Sequence, residues 1–186
     1  MYVTTSRALT NDGVIPVKLA DNLLAGKLFP ATQSGLKDPI AADDVPNATP
    51  PPDGRIASAG NRGAATLDEQ SPDRWSTQDV RSQQPFDVTW TVSRPMPVRR
   101  WNYFITADGW DPAAPLSRDQ FENLPFFYVE NPAQPYWSYQ KELEPGSQVL
   151  QSIRLPVRTG YHVLLAVCEI ADSGYAFYQV IDLNFA

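Results

Sequence analysis

The sequence is poor in the residues that build disulfides and most metal sites. Its 186 residues include one cysteine, Cys168, and one histidine, His162. A single cysteine excludes an internal disulfide, which secreted domains commonly have. The first residues also lack the basic stretch and apolar segment of a signal peptide. We therefore expect a cytoplasmic location, or release without a cleaved signal, rather than secretion with a signal peptide.

The chain also lacks long apolar runs and an excess of positive charge. No apolar run approaches the ~20 residues of a transmembrane helix, so we expect no transmembrane segment. The net charge of -6 argues against nucleic acid, because phosphate binding depends on clustered lysine and arginine. Arg94, Arg99 and Arg100 form the one local basic cluster, which we predict to be a solvated strand end. A neutral or weakly charged partner suits this chain better.

Common catalytic motifs are missing as well. The sequence has no Gly-rich phosphate loop and no Cys/His metal cluster, and one histidine inside an apolar strand does not complete a Ser-His-acid set. Neighbouring acids such as Asp43 and Asp44 lie in polar, loop-like stretches. We interpret them as solvated carboxylates rather than as the paired acids of a glycosidase.

What the sequence does contain is a change of pattern near residue 85. Before it, prolines and turn formers dominate, with a short helix predicted within 19–28. After it, apolar residues alternate with polar ones at period two, as in Phe86, Val88 and Trp90. Further strands are predicted at 101–106, 152–155, 161–170 and 175–184. Strands at this spacing predict an all-β fold, an antiparallel β-sandwich.

Several unusual segments occur together and in order. They read DGRIASA at 53–59, SPDRW at 71–75, WNYFIT at 101–106 and YHVLLAVCEIAD at 161–172. In these segments the chain resembles the chitin-active lytic polysaccharide monooxygenases of family AA10, the chitin-binding type-4 domain. The resemblance implies one domain over 1–186 with an immunoglobulin- or fibronectin III-like sandwich. It also implies a long loop and short-helix insertion over about 9–85 that forms much of a flat, substrate-facing surface.

The resemblance implies a copper cofactor, which members of the family hold with two histidines, the histidine brace. Here Met1 matches the small residue after the first brace histidine, and Met96 occupies the position of the second. Arg94 replaces a small residue beside the metal, whereas Phe177 and Asp172 match residues that the family keeps. His162 matches a histidine inside a strand, not a ligand. We therefore expect no bound copper, no other metal and no catalytic residue. In this interpretation Met1, Arg94, Met96, Asp172 and Phe177 are the remains of a copper site.

Three functions remain open at this point. We favour a non-catalytic module that binds chitin or a similar polysaccharide, since flat polysaccharides are bound by exposed aromatic faces and hydrogen-bonding side chains. The candidate surface comprises Tyr2, Arg94, Arg99, Tyr136, Trp137 and Tyr139. The other interpretation of the rings at 136–139 is that they pack beneath the loop. The second function is protein–protein contact or self-assembly, or a role as an insect-directed virulence or inclusion protein, with the same sandwich. The third possibility is an active copper monooxygenase, and copper(I) bound by Met1 and Met96 is a further hypothesis.

Overall fold

The computed structural model describes residues 1–11 and 14–186. Within them the chain forms nine strands, three one-turn α-helices and three 3₁₀ turns. The strands are β1 (Tyr2–Val3), β2 (Leu24–Gly26), β3 (Gln78–Val80), β4 (Pro85–Thr91), β5 (Val98–Ile105), β6 (Phe127–Glu130), β7 (Gln148–Arg154), β8 (Gly160–Ile170) and β9 (Tyr175–Phe185). The helices are α1 (Arg7–Thr10), α2 (Val17–Ala20) and α3 (Gln140–Leu143), and the 3₁₀ turns are Arg62–Asp68, Arg118–Gln120 and Tyr136–Ser138. No helix in the described ranges is both long and apolar enough to cross a membrane.

The strands form two sheets. One has three strands in the order β1-β4-β7, and the other has six, with β2-β9-β8-β5-β6 in sequence and β3 added beside β9. Every pairing is antiparallel except that of β3 with β9. The period-two pattern of β4 arises because alternate residues, Val88 and Trp90, face the second sheet and are fully buried. The predicted antiparallel sandwich is confirmed.

The core between the two sheets contains a chain of polar contacts. The Trp90 indole N–H donates to the Tyr103 hydroxyl over 2.9 Å, and Tyr103 in turn donates to Gln151. Burial raises the pKa of the Tyr103 hydroxyl, so it remains a neutral donor. These bonds allow two large polar-tipped rings to lie in an otherwise apolar layer.

A second core covers the outer face of the six-stranded sheet. Ile56, Leu67 and Trp75 from the insertion pack there against residues such as Leu165 and Tyr178. The long strands β8 and β9 are therefore buried on both faces, which explains their nearly continuous apolar sequences. The insertion consists mainly of loops, but its apolar side chains form a third layer.

The helix predicted within 19–28 is wrong over most of its length. Helix α2 ends at Ala20, and Leu24–Gly26 is a strand paired with β9. A β-carbon on Gly26 would lie 1.8 Å from the Ala48 carbonyl oxygen, so the backbone approaches too closely for any other residue. Pairing with a distant strand outweighs the local helical spacing of the leucines.

The ends of the strands define two opposite ends of the sandwich. We name one of these ends the loop end. Strands β4, β6 and β8 end there, and strands β5, β7 and β9 begin there. The connecting loops 92–97, 131–147 and 171–174 therefore all emerge at this end. Strand β1 starts at the same end, because Tyr2 pairs with Thr91. The candidate site residues lie on these loops and on the adjoining strand termini.

Candidate functional site at the loop end

The amino-terminal residue is buried in the core at the loop end. Met1 belongs to the same apolar cluster as Phe177, and its sulfur lies 3.7 Å from the Cys168 sulfur. The α-amine is 2.8 Å from a carboxylate oxygen of Asp21 and also donates to the Asp21 carbonyl over 3.1 Å. Burial lowers the pKa of this amine, the Asp21 charge opposes that effect, and Arg94 adds to it. The Met1 position is thus an apolar, ion-paired anchor.

The other residues expected at a copper site divide into two groups. Met96 is half-buried and packs against the cluster that contains Met1 and Phe177. Arg94 and Asp172 are exposed at the surface. The structure therefore brings three of the five positions together in one apolar cluster and leaves two in solvent.

The single histidine lies towards the opposite end of the sandwich. His162 and Cys168 are six residues apart on β8, which separates them by about 20 Å. The His162 ring nitrogen Nδ1 is 2.9 Å from the Thr106 hydroxyl, and the ring packs against Trp110 and Phe185. Burial lowers the pKa of the imidazole, so it is neutral near pH 7. Its bonds and neighbours give it a role in packing.

The family is decided by comparison with known proteins. A family model described as "Lytic polysaccharide mono-oxygenase, cellulose-degrading" matches residues 28–183. The chain belongs to that family, AA10. The resemblance inferred from the sequence segments is thereby confirmed.

Individual AA10 and chitin-binding proteins support the same assignment. The crystal structure of a chitin binding domain from Burkholderia pseudomallei is 47% identical, with a TM-score of 0.96 over 100% of this chain and 98% of that one. An AA10 monooxygenase from Photorhabdus luminescens is 32% identical, with a TM-score of 0.79 over 100% and 98%. GlcNAc-binding protein A from Shewanella oneidensis is 39% identical over 137 residues, 73% of this chain but only 27% of that protein. The chain thus spans about a quarter of that curated relative.

An AA10 copper brace requires imidazole nitrogens, which bind copper in both oxidation states. The nitrogen and sulfur donors in the cluster around Met1 are its amine and sulfur, the sulfur of Met96 and the thiol of Cys168. The amine is already paired with Asp21, and burial raises the pKa of the Cys168 thiol, which disfavours the thiolate that metals bind. The residues present here do not fit a two-histidine brace.

Arg99 is not a surface residue, and this corrects the sequence prediction. Its guanidinium is buried and binds Asp44 through two bonds of 2.8 Å. It also donates to the carbonyls of Asn131 and Ala133, which fixes the base of the loop after β6. Arg100 is likewise no solvated strand end, because it contacts three carboxylates. Of the predicted basic cluster only Arg94 is exposed.

The predicted aromatic cluster is an exposed feature of the loop end. Tyr136 and Trp137 lie in a 3₁₀ turn with their rings edge to face, 5.2 Å between centroids. Trp137 is 57% exposed, Tyr139 is exposed, and Tyr136 is half-buried. The other interpretation, in which all three rings pack beneath the loop, does not hold for Trp137 and Tyr139, because both are exposed. Tyr2 is half-buried on strand β1 at the same end.

One exposed aromatic at the loop end was missed from the sequence. Tyr175 is the first residue of β9 and is exposed, two residues before Phe177 and therefore on the same face of the sheet. Strand β9 is buried on both faces along most of its length, so no alternation in the sequence marked this residue as exposed. The contact between Asp21 and the amino terminus had no local signal, because the two residues belong to different elements.

Proposed function

We propose that this chain is a chitin-binding AA10 module that adsorbs to polysaccharide through its loop end and has lost the histidine brace and its copper chemistry. The observation that carries the proposal is that Met1, Met96 and Phe177 belong to one apolar cluster with Cys168, while the histidine of this sequence lies about 20 Å from Cys168 along β8. Two relatives, a chitin binding domain and a GlcNAc-binding protein, supply the ligand class.

The loop end has the chemistry needed to bind a neutral polysaccharide. Trp137, Tyr139 and Tyr175 expose aromatic surface, and sugar rings present apolar C–H faces that can stack on it. Burial of that apolar area drives binding without opposite charges, which suits a chain of net charge -6. Arg94 adds an exposed hydrogen-bond donor at the loop end.

Copper bound in a brace would supply the oxygen chemistry that cleaves glycosidic bonds. In this chain the residues at the equivalent place instead stabilise the fold: the Met1 side chain fills the apolar cluster and its amine neutralises Asp21. We therefore assign the loop end to binding and not to catalysis.

Retention on beads tests the proposal. The purified chain is mixed with chitin and with cellulose beads at low salt, and the bound fraction is measured after washing. We expect retention on chitin. Absence of retention on both supports would refute adsorption to polysaccharide through the loop end and would favour a protein partner for that end of the sandwich.

A further inference from the structure

A groove lies on the outer face of the six-stranded sheet, where the insertion stops short of strand β6. Its volume is about 700 Å³. Arg100, Asn102 and Phe104 alternate along β5 and form its floor, while Trp101 and Tyr103 between them face the inner core. Exposed apolar side chains form the rim, with Leu36 and Ile40 on one side and Leu124 and Tyr128 on the other. The groove faces away from the core that contains Met1 and Phe177.

The amide of Asn102 has no hydrogen-bond partner among the described residues, although only 6% of the residue is exposed. The polar atoms of this amide are accessible from the groove, so they can bond water or a ligand there. Asn47, equally buried, shows the usual arrangement: its side chain accepts from the Leu36 amide and donates to the carbonyls of Lys27 and Gln33. Unlike Asn47, Asn102 therefore has donors and an acceptor available to a ligand in the groove.

Tyr128 lies directly beside this amide. Asn102 and Tyr128 are paired across β5 and β6, so their side chains leave the same face of the sheet with β-carbons about 5 Å apart. Tyr128 is 62% exposed. An aromatic platform next to an amide can bind a flat ring that carries a hydrogen-bonding substituent.

One guanidinium and three carboxylates meet at the closed end of the groove. Arg100 contacts Asp38 at 2.6 Å, Glu130 at 2.9 Å and Glu169 at 3.2 Å. The Leu28 amide also donates to Glu169. The contact with Asp38 holds the 36–40 segment as one wall. The three carboxylates around one guanidinium disfavour an anionic ligand at the floor.

We propose that this groove binds an N-acetylated amino sugar residue of a single oligosaccharide chain. The acetamido group offers one N–H and one carbonyl, which match the acceptor and donors of Asn102, and its methyl group lies against the apolar wall. The sugar ring then stacks on Tyr128. The ligand class rests on the proposed function, but this groove is a second site, distinct from the loop end.

Calorimetric titration with soluble hexasaccharides tests the proposal. We expect the hexamer of N-acetylglucosamine to bind at least about tenfold more tightly than the hexamer of glucose, which lacks the acetamido group. Asn102→Leu should abolish that preference, and Tyr128→Ala should weaken binding of the acetylated hexamer about tenfold. Equal affinity for the two hexamers would overturn the assignment.

A pair of leucines separates an effect of the groove from an effect on folding. Leu124 lies on the rim and is 77% exposed, whereas Leu150 is 64% exposed on the other sheet. Leu124→Ala should weaken binding of the acetylated hexamer, and Leu150→Ala should not. Equal effects of the two substitutions would contradict the proposal, even if Asn102→Leu fails to fold.

The outcomes distinguish this inference from the proposed function. If the chain is retained on chitin beads but the groove variants bind the acetylated hexamer like the parent, the groove assignment fails and the loop-end assignment stands. If the parent chain binds an apolar dye in the groove but no hexamer, the groove is a hydrophobic protein contact and the sugar assignment fails. If the parent binds the hexamer without retention on beads, only the loop-end proposal fails.

Discussion

Truncation of Trp137 should weaken adsorption to chitin by about 20-fold. A tryptophan offers about 250 Å² of surface, so 57% exposure leaves about 140 Å², of which a flat ligand covers about half. Burial of about 70 Å² of apolar surface contributes about 1.8 kcal/mol at roughly 25 cal/mol per Å². At about 1.4 kcal/mol per tenfold change in Kd, that is a factor of about 20.

The assay is a depletion isotherm on chitin particles, in which the free protein is measured after the particles are removed. Trp137→Ala is compared with the parent chain and with Val157→Ala, an exposed apolar residue in the turn between β7 and β8 at the opposite end of the sandwich. Val157→Ala should bind like the parent. A Kd for Trp137→Ala within twofold of the parent value, at unchanged melting temperature, would show that the aromatic loop does not contact the polysaccharide.

Three further predictions concern the fold that supports the site. Asp44→Ala leaves the buried Arg99 guanidinium without its carboxylate and should lower the free energy of unfolding by about 3–5 kcal/mol, measured by urea denaturation; a loss below 1 kcal/mol would contradict this. Since burial lowers the pKa of His162 below 6.5, the unfolded chain takes up the proton first, and stability should be lost as the pH falls below about 6.5. His162→Gln should show a shallower loss in melting temperature over that range, and an unchanged slope would refute the assignment. Gly26→Ala places a β-carbon 1.8 Å from the Ala48 oxygen and should yield little folded protein by circular dichroism.

The sandwich could be predicted because its signals are local. Alternation in Phe86–Val92 and the apolar runs of β8 and β9 follow from which faces of each strand are buried. The helix within 19–28 was predicted from an equally local pattern, but pairing of Leu24–Gly26 with β9 decided the structure there. A short segment adopts the conformation in which it can pair with a distant strand, even where its local pattern favours another.

The buried ion pairs could not be predicted, because their partners are far apart in the chain. Arg99 binds Asp44, 55 residues earlier, and Arg100 binds Glu169, 69 residues later. In the sequence both arginines belong to a basic cluster typical of a solvated surface. Only the fold places carboxylates against them, and a buried arginine without such partners would be strongly destabilising.

For the candidate sites too, some features could be predicted from the sequence and others could not. The exposure of Trp137 and Tyr139 agrees with their position after two prolines, and the place of Met1 beside Phe177 follows from the family resemblance. The groove was not predicted, because Asn102 lies inside a regular strand and nothing nearby in the sequence marks its amide as unpartnered. That property depends on three separate segments that meet around it.

The central claim is that the loop end binds polysaccharide without a copper brace. It is tested most directly by titrating the chain with copper(II) in a calorimeter and then incubating the copper-treated chain with chitin and a reductant, with the soluble products measured by mass spectrometry. We expect no tight 1:1 binding and no oxidised oligosaccharides from a chain that is still retained on chitin. Tight 1:1 binding of copper, together with oxidised chitin oligosaccharides, would contradict the claim.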